Sequence, residues 1–318
     1  MNKQNNDTTR PTPLEMTGDE FRRHGHEMID RIADLIDSFA TRPVTPGESP
    51  LEVRAALQHE KPLPEMGTPT NDLLKRAQKL LFEHSLFNSH PRFWGYITAP
   101  AAPIGILGDL LAAAVNPNCG GWKLAPMATE IELQTVRWIA ELLGYPATAS
   151  GALVSGGNMA NFVGFLCART AMLGQPVREH GLAGESNTRF RIYTSAETHT
   201  WFLFGVVLFG FGFVVVGCIP TDPSLRMDLD ALRKQIQTDR TAGDRPLIVV
   251  GTAGSVSTGA VDPLPAIADI CREEKLWFHV DGAYGGFAAC SDQAPEDIRG
   301  LALADSVAID PHKWLYAP

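Results

Sequence analysis

The sequence predicts an α/β domain built on a mostly parallel sheet, preceded by a helical N-terminal segment. Two observations carry that expectation. From about residue 100 onward, short apolar runs alternate with helix-length segments. The runs at 247–252, 276–280 and 306–309 are almost continuously apolar, as parallel strands buried on both faces are, with a crossover helix at 264–275 between the first two. Bulk composition agrees: 318 residues, 44% hydrophobic and 20% charged, suit a globular chain with one large domain or one plus a smaller lobe. The net charge of -9, with no basic stripe, excludes a nucleic-acid partner. Cys119, Cys167, Cys218, Cys271 and Cys290 are scattered without a C-x-x-C pair, which predicts reduced thiols and a cytoplasmic location rather than a disulfide frame.

In chain order, residues 1–16 read as a disordered leader without the apolar centre of a signal peptide. Thr17-Gly18-Asp19-Glu20 has capping-box spacing, and Phe21, Met28, Ile29, Ile32, Leu35, Ile36 and Phe39 follow at three- and four-residue steps. Pro43 stops that helix. A short helix at 51–57, a proline-rich connector at 61–69 and an amphipathic helix at 71–86 complete a helical segment over 17–100. Its apolar faces call for a partner surface. Residues 201–216 hold no charged or hydrogen-bonding side chain apart from the Trp201 indole. Their length approaches the ~17–25 residues of a membrane span. Gly205, Gly210, Gly212 and Pro220 and the absence of basic flanks favour a buried helix running into a buried strand at Val214-Val215-Val216, and no membrane partner.

Several residues are of the kinds that carry chemistry. Ser155-Gly156-Gly157-Asn158 precedes a helix through Phe162, Val163, Phe165 and Leu166; free N–H groups and the helix dipole there make an anion cup, although Gly-Gly before a helix also serves as an ordinary turn. His199, in Glu197-Thr198-His199-Thr200, reads either as a satisfied histidine or as an imidazole stacked on an aromatic ring. Ser255 and Ser257 read as helix caps or as donors to an anion. Asp281 ends one apolar run, with Ala283 small beside it; Asp310 ends another, with His312 and Lys313 just beyond. Trp314 and Leu315 predict a buried setting for Lys313, where desolvation frees an amine to attack a carbonyl. A lysine that holds an aldehyde as a Schiff base, with an aspartate that keeps a pyridine nitrogen protonated, is the pairing pyridoxal 5'-phosphate requires. His24 and His26 resemble a metal half-site, but the other histidines are dispersed and no metal is expected.

Together with His90-Pro91-Arg92-Phe93, Trp122, Pro126, Thr129-Glu130-Ile131-Glu132, Ala168-Arg169-Thr170 and Asp262-Pro263-Leu264, these motifs resemble the group II pyridoxal-phosphate-dependent amino-acid decarboxylases, from about Phe21 to the last residue. The family includes aromatic-amino-acid, glutamate and diaminobutyrate decarboxylases. The resemblance implies the aspartate-aminotransferase fold, fold type I. It divides the chain into the leader, a dimerisation segment over 17–100 and the large cofactor domain over 101–318, without the mobile loop and small C-terminal domain that follow the lysine in family members. Lys313 becomes the Schiff-base lysine, Asp281 the partner of the pyridine nitrogen, and His199 and Ala283 the two ring-face contacts. Gly157, Asn158, Ser255 and His312 fall to the phosphate and ring oxygens, and Tyr96, Ile97 and Thr98 to the substrate pocket. A homodimer that decarboxylates an L-amino acid to its amine is implied. Transamination, aldol cleavage, or a silent fragment that binds cofactor or dimerises without turnover remain open alternatives.

Overall fold

The computed structural model describes residues 15–182 and 188–318, so the expected leader lies outside the described residues as far as residue 14. The chain divides between Gly95 and Tyr96 into two compact units. The first holds α1 (Gly18–Ser38), α2 (Pro50–Leu57) and α3 (Thr70–Glu83). The reciprocal capping box that opens α1 is present: Glu20 N–H donates to Thr17 Oγ1 at 3.2 Å, and Thr17 N–H donates to Glu20 Oε2 at 3.0 Å. Ser49 and Glu52 repeat the device at α2. The third helix stops at Glu83, three residues short of the span its apolar spacing suggests, with His84 as its C-cap. The Glu48 carboxylate meets His84 Nδ1 at 2.8 Å.

The second unit continues with α4 (Pro103–Val115), α5 (Pro126–Leu142), α6 (Gly157–Leu173) and α7 (Gln175–His180). Then come β1 (Phe190–Ser195), α8 (Trp201–Leu208), β2 (Val216–Ile219), α9 (Leu229–Thr241), β3 (Arg245–Thr252) and α10 (Leu264–Glu274). It closes with β4 (Trp277–Gly282), α11 (Glu296–Arg299), β5 (Ser306–Ile309) and α12 (Pro311–Trp314). Among the described residues the sheet has five strands in the order β2-β1-β3-β4-β5, every pair parallel. The order reverses between β1 and β3, and in such sheets ligands sit beyond the carboxyl ends of the strands at that point.

Period-two alternation assigns each strand residue to a face. Ile192, Ile248 and Val250 pack with Phe165, Trp201, Phe202 and Val206 on the side covered by α6 and α8. Tyr193, Val249 and Phe278 pack with Leu232, Ile236, Leu264 and Ile267 on the side covered by α9 and α10. Each such side chain is fully or nearly fully buried, worth about 1.5–3 kcal/mol relative to exposure. The crossover helix ends where Lys275 adopts φ 56°, a left-handed C-cap, and β4 starts two residues later.

The apolar stretch at 201–216 departs from expectation. Gly210 and Gly212 adopt φ of 82° and 76°, so the helix ends at Leu208 and a 3-10 turn occupies Phe213–Val215. The strand therefore begins at Val216, not Val214, which is exposed. Only one face of α8 is buried: Trp201, Phe202, Gly205 and Val206 point inward while Phe204, Val207 and Leu208 are exposed. Among the described residues no helix is long and apolar enough to cross a membrane.

Gly164 on α6 faces His279 of β4: a Cβ there would stand 2.5 Å from the ring's Cε1. That ring is hydrogen-bonded at both nitrogens and has nowhere to turn. Gly164→Ala is therefore expected to lose about 1–3 kcal/mol of stability, the usual cost of overpacking a filled core. Urea melts measure it, and an unchanged midpoint would show that the helix simply steps back.

Candidate active site

Three parallel strands and one helix end converge on a single cavity. Asp281 arrives at the tip of β4, Thr252 at the tip of β3, and Lys313 on the short helix just after β5. Gly157, Asn158 and Asn161 come from the first turns of α6, and His199 from the loop after β1. In register, Thr252 pairs with Asp281, so the two side chains belong to neighbouring strands at one level of the sheet. Gly157 lies close to both later strands: a Cβ on it would sit 3.5 Å from Ala283 Cβ and 4.0 Å from Asp310 Oδ2.

Asp281 is buried, 7% exposed, and both its oxygens are engaged. The Trp201 indole N–H donates to Oδ2 at 2.8 Å, and the Ala283 backbone N–H donates to Oδ1 at 3.1 Å. Asp310 has two tasks. Its Oδ1 accepts the His312 N–H at 3.0 Å, capping the helix that carries Lys313, and its Oδ2 lies 3.9 Å from Lys313 Nζ. Lys313 is thus half-buried through its own turn and the cavity; Trp314 and Leu315 are exposed, contrary to the setting their apolar character suggests. Trp314 instead stands edge-on to Tyr284, another cavity residue, with centroids 6.1 Å apart.

A directed hydrogen-bond chain underlies the floor. An indole can only donate, so Trp277 Nε1–H gives its proton to Ser306 Oγ at 2.9 Å, and the Ser306 hydroxyl is left to donate to His279 Nδ1 at 2.8 Å. His279 Nε2–H then donates to Asn161 Oδ1 at 2.9 Å, and Asn161 Nδ2–H donates to the Gly157 carbonyl at 3.0 Å. Each partner's chemistry fixes the next, so the tautomer of His279 and the orientation of the Asn161 amide follow. Burial holds the His279 pKa down to about 4 and keeps the ring neutral, against the opposing pull of the Asp281 charge and of the Ser306 backbone carbonyl as an acceptor. On β3, Asp262 ties the chain down: Oδ2 accepts Thr252 N–H at 2.8 Å and Oδ1 accepts Met227 N–H at 2.7 Å. Burial raises the Asp262 pKa to about 6 against those two donors.

Of the residues singled out from sequence, Lys313, Asp281, Ala283, His199, Gly157, Asn158 and Ile97 line the cavity. Four do not. Ser255 is buried, but its Oγ pairs with Thr258 Oγ1 at 2.6 Å to close a turn, and no helix starts there for it or Ser257 to cap. His312 is exposed, its Nδ1 meeting the Ala317 carbonyl at 3.0 Å. Tyr96, at φ 59°, is 89% exposed, and Thr98 is exposed too, because the turn at Tyr96 sends neighbouring side chains apart. Asp310, already noted as the end of an apolar run, also builds the site; Trp201, Asn161 and Thr252 build it without having been singled out for it. Trp201 alone had left a signal, as the one polar group in a charge-free stretch.

The site as built gathers an amine, two carboxylates and a helix N-terminus at the carboxyl edge of a parallel sheet, the arrangement of an α/β cofactor-binding domain. Residues 50–318 match the family described as the pyridoxal-dependent decarboxylase conserved domain. The chain is 33% identical over 305 residues to the aromatic-L-amino-acid decarboxylase of Bacillus atrophaeus, spanning 96% of this chain and 61% of that protein. It is 30% identical over 298 residues to the L-2,4-diaminobutyrate decarboxylase of Rhizobium meliloti, spanning 94% of this chain and 58% of that protein. A crystal structure of Oryza sativa TDC with PLP and tryptamine superposes with a TM-score of 0.85 at 28% identity, covering 97% of this chain and 63% of that one. The chain belongs to the pyridoxal-dependent decarboxylase family, and it spans about 60% of the length of the curated relatives it matches. The family's cofactor is pyridoxal 5'-phosphate.

Neutral burial of His279 has a pH signature. Between its ordinary 6.5 and about 4, the unfolded chain takes up a proton that the folded chain refuses, so stability falls as pH drops through that window. Asp262 has the opposite sign: its contribution is full below 3.8 and lost as pH rises through about 6. The two overlap, so the test is a difference. Relative to His279→Gln, the wild type should lose up to about 1.4 kcal/mol per pH unit on acidification, one proton's worth, in urea melts. A difference that does not vary with pH sinks this account.

Proposed function

We propose that this chain carries the cofactor domain of an amino-acid decarboxylase, a carboxy-lyase that converts an L-amino acid to its amine and CO₂. One observation carries the reading: Asp281 at the tip of β4 and Lys313 on the short helix just after the adjacent β5 line one cavity with the N-terminus of α6. The residues fit pyridoxal 5'-phosphate on a further, independent ground. Thr252 Oγ1 is buried beside the cavity with no hydrogen-bond partner among the described residues, a polar atom left for a ligand to satisfy.

Lys313 is the amine that would hold the aldehyde carbon, and Asp281 the carboxylate that would meet the pyridine nitrogen. The phosphate falls to the α6 N-terminus at Gly157 and Asn158, where no side chain caps the helix and Gly156 at φ 118° opens the backbone. Ala283 supplies a small surface for one ring face and His199 an imidazole for the other. His199 Nδ1 accepts the Trp201 N–H at 3.4 Å, which leaves its Nε2–H to donate toward the substrate. Bound there, the cofactor supplies an electron sink for the pair released when the substrate carboxylate departs as CO₂. The protein's part is electrostatic and geometric: Asp281 holds a negative charge fixed where positive charge must persist.

A homodimer fits the exposed apolar surface. On α4 no residue is buried, and Ile104, Leu107, Leu110, Leu111 and Val115 are all exposed, apolar surface of the kind a partner subunit covers. Five unpaired cysteines suit a reducing, cytoplasmic compartment.

On adding pyridoxal 5'-phosphate, the wild-type chain should develop the visible absorbance of a lysine-bound cofactor, and Lys313→Ala should not. With a panel of L-amino acids, CO₂ and amine should form together, and Asp281→Ala should slow that release by at least about 100-fold, the scale of a lost preorganised charge. A keto acid product, or near-normal CO₂ release from Asp281→Ala, contradicts the assignment.

A further inference from the structure

The charge-free helix α8 buries one hydrogen-bond donor, and that donor ends on Asp281. We propose that Trp201 is a positioning residue for cofactor binding: its indole N–H fixes the plane of the Asp281 carboxylate and so sets how that carboxylate meets the pyridine nitrogen. The inference rests on the assignment of Asp281 to that nitrogen.

The geometry supports it from several directions. Trp201 is fully buried, and Nε1 stands 2.8 Å from Asp281 Oδ2 across a sequence separation of 80 residues. Alternation along β4 puts His279 and Asp281 on the same face, the one covered by α6 and α8, so Trp201 reaches both. The His279 ring stands edge-on to the indole with centroids 5.8 Å apart and planes 82° apart. Phe162 packs on another side at 6.3 Å. One turn along α8, Gly205 leaves room for both rings: a Cβ there would lie 3.4 Å from Phe162 Cε1 and 3.6 Å from Trp201 Cζ3. His279 cannot turn away, because Ser306 and Asn161 hold its two nitrogens. The indole therefore has one orientation.

Asp281 has two supports, and they differ in kind. The Ala283 N–H comes from its own chain two residues on and moves with it. Trp201 comes from a different element and ties the carboxylate to the α8 face of the sheet. A carboxylate offers about four lone-pair sites. With one on each oxygen occupied, the plane is set and the remaining sites are left for a ligand. The same contact explains why a residue with a polar tip opens an otherwise apolar helix directly after the His199 loop.

The test uses the chain Met1–Pro318 with two cofactors, pyridoxal 5'-phosphate and its 1-deaza analogue, in which carbon replaces the pyridine nitrogen. Dissociation constants come from titrating the visible absorbance. Trp201→Phe should weaken binding of pyridoxal 5'-phosphate by about tenfold, the scale of one hydrogen bond to a charged group, and leave the deaza analogue within about twofold. Val206→Ala, at a fully buried position on the same helix, should lower the melting temperature and leave both affinities unchanged. If Trp201→Phe weakens both cofactors equally, or neither, the positioning role is wrong. If the wild type binds the two cofactors equally well, or binds neither, the Asp281 assignment itself has failed and the inference goes with it. Should Trp201→Phe not fold, site-specific 3-benzothienylalanine at position 201 keeps the bicyclic shape and deletes only the donor, and the same two outcomes decide.

Discussion

A carboxylate buried at the end of a central strand is the constraint that organises the second unit. Asp281 is nearly inaccessible, and a charge moved out of water is tolerated only where donors replace its hydration. Those donors come from two directions, the chain just beyond β4 and the indole that opens α8. To bring the indole there, α8 must lie flat on the sheet, which demands an inner face of Trp201, Phe202, Gly205 and Val206. The apolar character of the segment follows from that docking on its inner side.

The floor of the site follows the same logic. His279 stands two residues before Asp281 on the same strand face, in a place too buried for a charged imidazole. Keeping it neutral requires one donor and one acceptor, which Ser306 and Asn161 supply. Asn161 then passes the orientation to the Gly157 carbonyl at the mouth of α6. Gly164 gives the ring its space one turn further along. Anion cup, strand tip and helix face are coupled through a handful of contacts, each of which constrains the next.

Much of the local structure was legible because local rules made it. The Thr17–Glu20 capping box, the strand read at 247–252, which the structure extends back to Arg245, and the strand at 306–309 follow from side-chain chemistry within a few residues. The 201–216 stretch was misread at its second half because composition reports burial averaged over both faces. Two glycines at positive φ turned the chain before Val214 could join the sheet. Among site residues, Lys313, Asp281, Gly157 and His199 carried a signal in their position after an apolar run or before a helix. Ser255, His312, Tyr96 and Thr98 shared their neighbours' context but point elsewhere, since one rotation of the backbone or one Ser–Thr pair redirects a side chain.

The order of motifs along the chain, by itself, determined the sheet-and-helix class, the family and two sides of the cavity, because strand tips and helix starts are written locally. Only the tertiary structure decided which polar groups complete that cavity. Trp201 meets Asp281 across 80 residues and Asn161 meets His279 across 118, and no local pattern encodes such pairs. They arise because parallel strands, each separated from the next by a helix, bring distant segments to one edge, where every buried donor must find the acceptor nearest in space.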